Sequence, residues 1–117
     1  LGATGTRMDH TITNIGNMKV AADCGKDCHI VDEHNYIYLL SEADGIHIIR
    51  KDSQYGRYVS IIPMSENVSL SLEGFKYTLD NYELKQGLSI CQSNEVEDEQ
   101  GIIKVHKGLI IVLETKD

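Results

Sequence analysis

The sequence predicts an all-β fold, an antiparallel β-sandwich with a jelly roll or a small barrel as its close variants, and three observations carry that expectation. From Thr11 onward, short runs rich in Ile, Val, Tyr and Thr follow one another with Gly, Asn and Asp between them. Such runs read as strands because β-branched and aromatic side chains pack well on a pleated surface. The runs begin at intervals near the roughly 8–12 residues typical of sandwiches and barrels. The breaks hold pairs such as Asp44-Gly45 and Lys107-Gly108, which supply the positive φ that tight turns require.

Taken in order, Thr11–Ile15 and Met18–Ala22 flank Gly16-Asn17, a pair suited to a two-residue hairpin. Cys28–Asp32 leads through a polar break to Tyr36–Ser41, and Asp44-Gly45 separates that run from Ile46–Lys51. Arg57–Pro63 ends at the only proline of the chain, a residue that cannot donate to a sheet ladder. Val68–Leu72 and Phe75–Leu79 alternate apolar with polar residues around Glu73-Gly74, so each is expected to turn one face inward. Asp80-Asn81 reads as a turn before Tyr82–Lys85. The best helix candidate, Asp80–Gln86, overlaps that strand, and it is cut at Gly87 and too short to stand alone. Leu88–Gln92 precedes a charged loop, Asn94–Gln100, and Ile102–His106 and Leu109–Glu114 close the chain around Lys107-Gly108. Hairpin connections between neighbours imply antiparallel pairing, because parallel strands need much longer crossovers.

Tyr36–Leu40 and Leu109–Leu113 are continuously apolar, and Ile46–Ile49 and Val59–Ile62 are so but for His47 and Ser60. Both faces of such strands seek cover. A second sheet provides it on one side, and a subunit interface or overlying loops on the other. The chain has 117 residues, 41% of them apolar. That suits one domain whose core forms without a metal or disulfide staple, since each large buried side chain gains about 1.5–3 kcal/mol. Residues 1–9 are expected to be a flexible leader or vector remnant, and 10–117 a single β domain.

Eleven Lys and Arg against 18 Asp and Glu give a formal charge of −7, and protonating all five histidines still leaves the chain negative. Nucleic acid is therefore not expected as a partner, because phosphate backbones are held by clustered basic residues. No run reaches the roughly 18 apolar residues of a membrane span, and no membrane partner is expected. Three cysteines, an odd number, argue against a disulfide-built secreted scaffold and point to the cytoplasm, which for a viral protein means the host cytoplasm or the virion.

Few residues offer chemistry. Cys24 and Cys28 have a zinc-like thiolate spacing and His29 follows at once, so these three are the candidate metal ligands. A second ligand pair is missing, a local disulfide between Cys24 and Cys28 is a further alternative, and two inert small residues flanking a turn explain the spacing best. A jelly-roll metal enzyme would place a His-x-His pair inside the barrel, and none occurs here. No nucleophile elbow or phosphate-cradling loop is present either, and no resident cofactor is expected. Tyr36, Tyr38, Tyr58 and Tyr77 are candidate recognition anchors, their rings burying area while the hydroxyls stay hydrogen bonded. Glu97 and Asp98, in the acidic loop, are candidates for docking a basic partner. By subtraction, the expected function is a binding or assembly module without a catalytic role, associating with itself or another protein, of the kind found in viruses and mobile elements. The alternative is a small-ligand or metal-binding β-barrel.

Overall fold

The computed structural model describes residues 16–17, 29–85 and 91–116. The β-rich expectation holds: these residues form nine strands in two antiparallel sheets. The strands are β1 (His29–Val31), β2 (Asn35–Ser41), β3 (Ile46–Arg50), β4 (Tyr58–Pro63), β5 (Val68–Glu73), β6 (Leu79–Leu84), β7 (Asn94–Glu95), β8 (Gln100–Lys107) and β9 (Leu109–Thr115). One sheet has the order β1-β2-β9-β4-β7 and the other β3-β8-β5-β6.

The strand runs alternate between the layers, which corrects the hairpin reading of the turns. Among sequence neighbours only β1 with β2 and β5 with β6 pair directly. Asp44-Gly45 lies on a 3-10 turn, Glu42–Asp44, capped by Ser41, whose side chain accepts from the backbone N–H of Ala43. It carries the chain from β2 in one sheet to β3 in the other. Gly108, at φ 91°, does the same between β8 and β9. A left-handed glycine permits a sharp reversal but does not dictate that the flanking strands pair. Gly16 and Asn17 are helical, not the hairpin expected. Thr11–Ile15 and Met18–Ala22 lie outside the described residues.

Alternation sets the core. Val68, Leu70 and Leu72 of β5 face Ile103 and Val105 of β8 and, across the sandwich, Ile110 and Val112 of β9 and Val59 and Ile61 of β4. Several of these are fully buried, each gaining about 1.5–3 kcal/mol over exposure. The continuously apolar runs use both faces: Tyr38 and Leu40 of β2 join this core, while Ile37 forms a second cluster with Ile30 and Ile111. On the edge strand β3, Ile46 and Ile48 remain exposed.

Two elements differ from expectation. Of Phe75–Leu79, residues 75–78 are no strand beyond a single bridge between Phe75 and Val96, Leu79 opens β6, and Asp80-Asn81 lies inside β6, not in a turn. Asn81 does hold a positive φ of 44°, but the β5–β6 register shift near Leu70 and Leu72 absorbs it as a bulge. Its N–H is met by Ser71 Oγ at 2.7 Å. The helix expected over Asp80–Gln86 is likewise absent through Leu84, which is strand.

Cys91, read as part of a strand, sits in a turn whose carbonyl accepts from the N–H of Ile61. Its thiol is buried, and burial pushes its pKa up to about 11. With Cys24 and Cys28 replaced by serine, we expect the native protein to react with a thiol reagent at pH 8 at least a hundredfold more slowly than the urea-unfolded chain, since about a thousandth of the thiol is thiolate there. Absorbance of the released chromophore measures this; equal rates would place Cys91 at the surface.

Candidate functional site

The segment after β5 is tied by its backbone to β7 and to the residues that follow β7. Gly74, at φ 76°, accepts through its carbonyl from the N–H groups of Glu97 and Asp98 at 2.9 and 3.1 Å. The N–H of Lys76 donates to the carbonyl of Glu95. The next rung is made by a side chain. Asn94, 3% exposed, accepts from the N–H of Tyr77 at 3.0 Å through Oδ1 and donates through Nδ2 to the Tyr77 carbonyl at 2.8 Å. Its Oδ1 also accepts from the N–H of Glu95. The amide thus replaces the strand partner that Tyr77 lacks. Ser93, beside it, holds φ 54°, a conformation disfavoured for serine.

Between these segments lies a hollow of about 560 Å³ with Leu72 and Leu79 as apolar lining, Tyr77 and Lys76 along one side, and Thr78, Gln92 and Asn94 as polar groups. The Tyr77 ring is exposed, with the Lys76 ammonium 5.7 Å from its centroid. Behind it Glu95 joins two cations, Arg57 Nε at 2.6 Å and Lys76 Nζ at 3.8 Å. The hydrogen bond from Arg57 is the main cause holding the Glu95 carboxyl below its ordinary pKa, helped by the positive charges of Arg57 and Lys76. A depressed folded value means that this stabilisation is present above the unfolded pKa and lost as pH falls through the folded one. Arg57→Gln is therefore expected to move the Glu95 midpoint upward and to reduce the stability lost on acidification. A carboxyl-carbon NMR titration checks this, and an unmoved midpoint would show that Arg57 is not the cause.

A second cavity, a cleft of about 540 Å³, opens between β2 and β3 under the Lys51–Arg57 loop. Of the sequence candidates, Tyr36 lines it, and the Tyr38 ring packs behind with its centroid 5.0 Å from that of Tyr36. Tyr38 is buried, and its hydroxyl lies 3.0 Å from His47 Nε2. Burial above all, and then the Glu114 carboxylate, raise its pKa. Burial also lowers that of His47, favouring the neutral imidazole.

Of the other sequence candidates, Tyr77 lines the hollow, and Tyr58 lies on β4 with the Arg57 guanidinium 5.4 Å from its ring. Glu97 and Asp98 are exposed, their N–H groups engaged by Gly74. His29 is exposed against Tyr36, ring centroids 5.6 Å apart. Cys24 and Cys28 lie outside the described residues, and among the described residues no three His, Cys, Asp or Glu side chains converge to hold a metal ion. Asn94, Gln92, Glu114 and Gln54 went unremarked as site residues in the sequence. Nothing in their local pattern distinguishes an inward amide or carboxylate from a solvated one.

Two interleaved antiparallel sheets with a half-apolar, amide-edged hollow define a β-sandwich that carries a candidate small-ligand site. Residues 46–110 match the family described as thiamin pyrophosphokinase, vitamin B1 binding domain, and the chain belongs to that family. It is 34% identical to the thiamine pyrophosphokinase of Bacillus subtilis over 117 residues, covering 99% of this chain and 53% of that protein. It is 25% identical to thiamin pyrophosphokinase 1 of Caenorhabditis elegans, covering 100% of this chain and 48% of that one. The crystal structure of the B. subtilis protein superposes with a TM-score of 0.89, covering 99% of this chain and 54% of that chain at 34% identity. That of Geobacillus thermodenitrificans thiamin pyrophosphokinase superposes at 0.85, covering 99% and 52% at 32% identity. The chain spans about half the length of these relatives.

Membership in this family overturns the expected main function. A virus-like module devoted to protein–protein contacts is replaced by a small-ligand role, the alternative of the sequence reading. The subtraction failed for a physical reason: a hollow that holds a ring needs apolar walls and a few fixed polar atoms, none of which forms a reactive motif. Among the described residues no helix is long and apolar enough to cross a membrane.

Proposed function

We propose that this chain is the vitamin-holding part of a thiamin pyrophosphokinase and that thiamin binds in the hollow beside Tyr77 and Asn94. One observation carries the choice of cavity. Every residue lining the hollow, Leu72 to Asn94, falls within the matched segment 46–110, whereas the cleft takes Val31, Tyr36 and Glu114 from outside it. The chemistry agrees. Thiamin joins an aminopyrimidine to a cationic thiazolium, and a tyrosine face with aliphatic neighbours suits a flat cation, while Thr78, Gln92 and Asn94 offer polar partners for the pyrimidine edge. The Lys76 charge, which would oppose a cation, is already paired with Glu95.

Calorimetric titration of the chain with thiamin tests this reading, with Tyr77→Ala as the variant. Tyr77 is exposed and its side chain makes no core contact, so we expect stability to hold and affinity to fall about tenfold, the worth of one cation–π contact of roughly 1–2 kcal/mol. Unchanged affinity would move thiamin out of the hollow. Self-association and a cytoplasmic setting are part of the same proposal. The exposed Ile46 and Ile48 face supports the first, and the unpaired thiol of Cys91 supports the second.

A further inference from the structure

Glu114 sits on β9, between Tyr36 of β2 and Val59 of β4 in the ladder. It is 5% exposed. A buried carboxylate is costly unless it is paired or well hydrogen bonded. Among the described residues, Glu114 gains only the Tyr38 hydroxyl and a long 3.4 Å contact from the N–H of Tyr55. Among the described residues no Lys or Arg pairs with it: Arg50, at the rim of the same cleft, is turned to Asp52 at 3.5 Å, and Lys116 lies over the Tyr55 ring at 4.5 Å. His47, the remaining basic group, is held toward its neutral form by burial.

The cleft that Glu114 lines holds a second unmatched acceptor. Gln54 Oε1 is buried and, alone among the buried side-chain nitrogen and oxygen atoms of the described residues, has no hydrogen-bond partner. Gln54 and Glu114, each with an under-matched acceptor, thus both line one cavity of about 540 Å³ whose wall includes Tyr36. A buried acceptor left unmatched calls for a donor, and a carboxylate beside aromatic rings calls for a positive one.

From this we infer that the cleft between β2 and β3 is a second binding site, for a flat organic cation bearing N–H donors, with Glu114 and Gln54 as its polar anchors and Tyr36 as its wall. The site stands apart from the hollow beside Tyr77 and does not depend on the vitamin reading.

Benzamidine, a flat amidinium, is the probe, and neutral benzamide of nearly the same shape is the control. Titrations followed by amide NMR shifts are expected to give saturable benzamidine binding with perturbations at Ile48, Ile49 and Glu114, and at least tenfold weaker binding of benzamide. Glu114→Gln, nearly isosteric, is expected to weaken benzamidine at least tenfold. Gln54→Lys, in the loop and outside the core, places a tethered ammonium beside Glu114 and is expected to abolish binding whatever the fate of the first variant. Equal affinity for the two probes, undiminished binding by Gln54→Lys, or shifts confined to Tyr77, Thr78 and Leu79 would overturn the proposal. Thiamin shifts mapping to the cleft would instead support this site and remove thiamin from the hollow, so the two readings fail separately.

Discussion

Gly74→Ala is expected to destabilise the fold by about 2–5 kcal/mol, read as a drop of about 1–3 M in the urea midpoint by circular dichroism. Two costs combine. Gly74 lies at φ 76°, where a side chain costs about 1–3 kcal/mol. An added Cβ would also stand 2.1 Å from the carbonyl oxygen of Gln100, and overpacking typically costs about 1–3 kcal/mol more. Neither neighbour can yield easily. The Gly74 carbonyl is fixed by Glu97 and Asp98, and Glu73 pairs with Ile102 across β5 and β8. Gly45→Ala separates the terms, because its φ of 68° is equally unsuitable but no atom lies within 4 Å of the added carbon. Its loss should be the conformational part alone. A Gly74→Ala midpoint indistinguishable from the parent would mean that the two segments framing the hollow are not locked at this point.

Strand identity in this chain is written in side-chain pattern, and partner identity is not. Val68-Ser69-Leu70-Ser71-Leu72 shows its inward face directly, and the uninterrupted runs of β2 and β9 announce strands apolar on both sides. What a run pairs with depends on which sheet the following turn delivers it to. Gly45 and Gly108 meet the same local demand for positive φ that a hairpin does, while joining different layers. Phe75–Leu79 makes the related point about hydrogen bonds. Its alternation is not realised, since Phe75 is buried while Tyr77, two residues on and so expected on the same face, is exposed; its backbone groups are met by Glu95 of β7 and by the Asn94 side chain and not by a continuous ladder. Periodicity reports which way side chains point only where a ladder forms, and that is settled by residues distant in sequence.

The sites were legible only at their aromatic members. Tyr36, Tyr38 and Tyr77 stand out by size and chemistry. Glu114 reads as the polar end of an apolar strand, and Asn94 as the first residue of an acidic loop. Burial sets each apart, one as a carboxyl group with no Lys or Arg partner among the described residues and the other as an artificial rung, and burial is a property of the assembled sandwich.

Asn94→Leu, which keeps the volume and removes the polar atoms, is expected to lose both stability and thiamin affinity. Its three hydrogen bonds, from the N–H groups of Tyr77 and Glu95 and to the carbonyl of Tyr77, are worth about 0.5–1.5 kcal/mol each, and the Tyr77 backbone groups would be left without that partner. A loss of about 2–4 kcal/mol in stability follows. Affinity should fall more than the tenfold expected for Tyr77→Ala, because the backbone that positions Tyr77 and Thr78 is released together with the amide that faces the ligand. The pair of variants distinguishes frame from contact: Tyr77→Ala reduces binding at constant stability, Asn94→Leu reduces both. Asn94→Asp sharpens the test, since a carboxylate still accepts from both N–H groups but cannot donate to the Tyr77 carbonyl when ionised. Its stability deficit should therefore shrink as pH falls and the buried acid takes up a proton. Thiamin titrations on Asn94→Leu at a temperature where it remains folded decide the matter, and parental affinity there would show that the amide rung supports the fold without shaping the site.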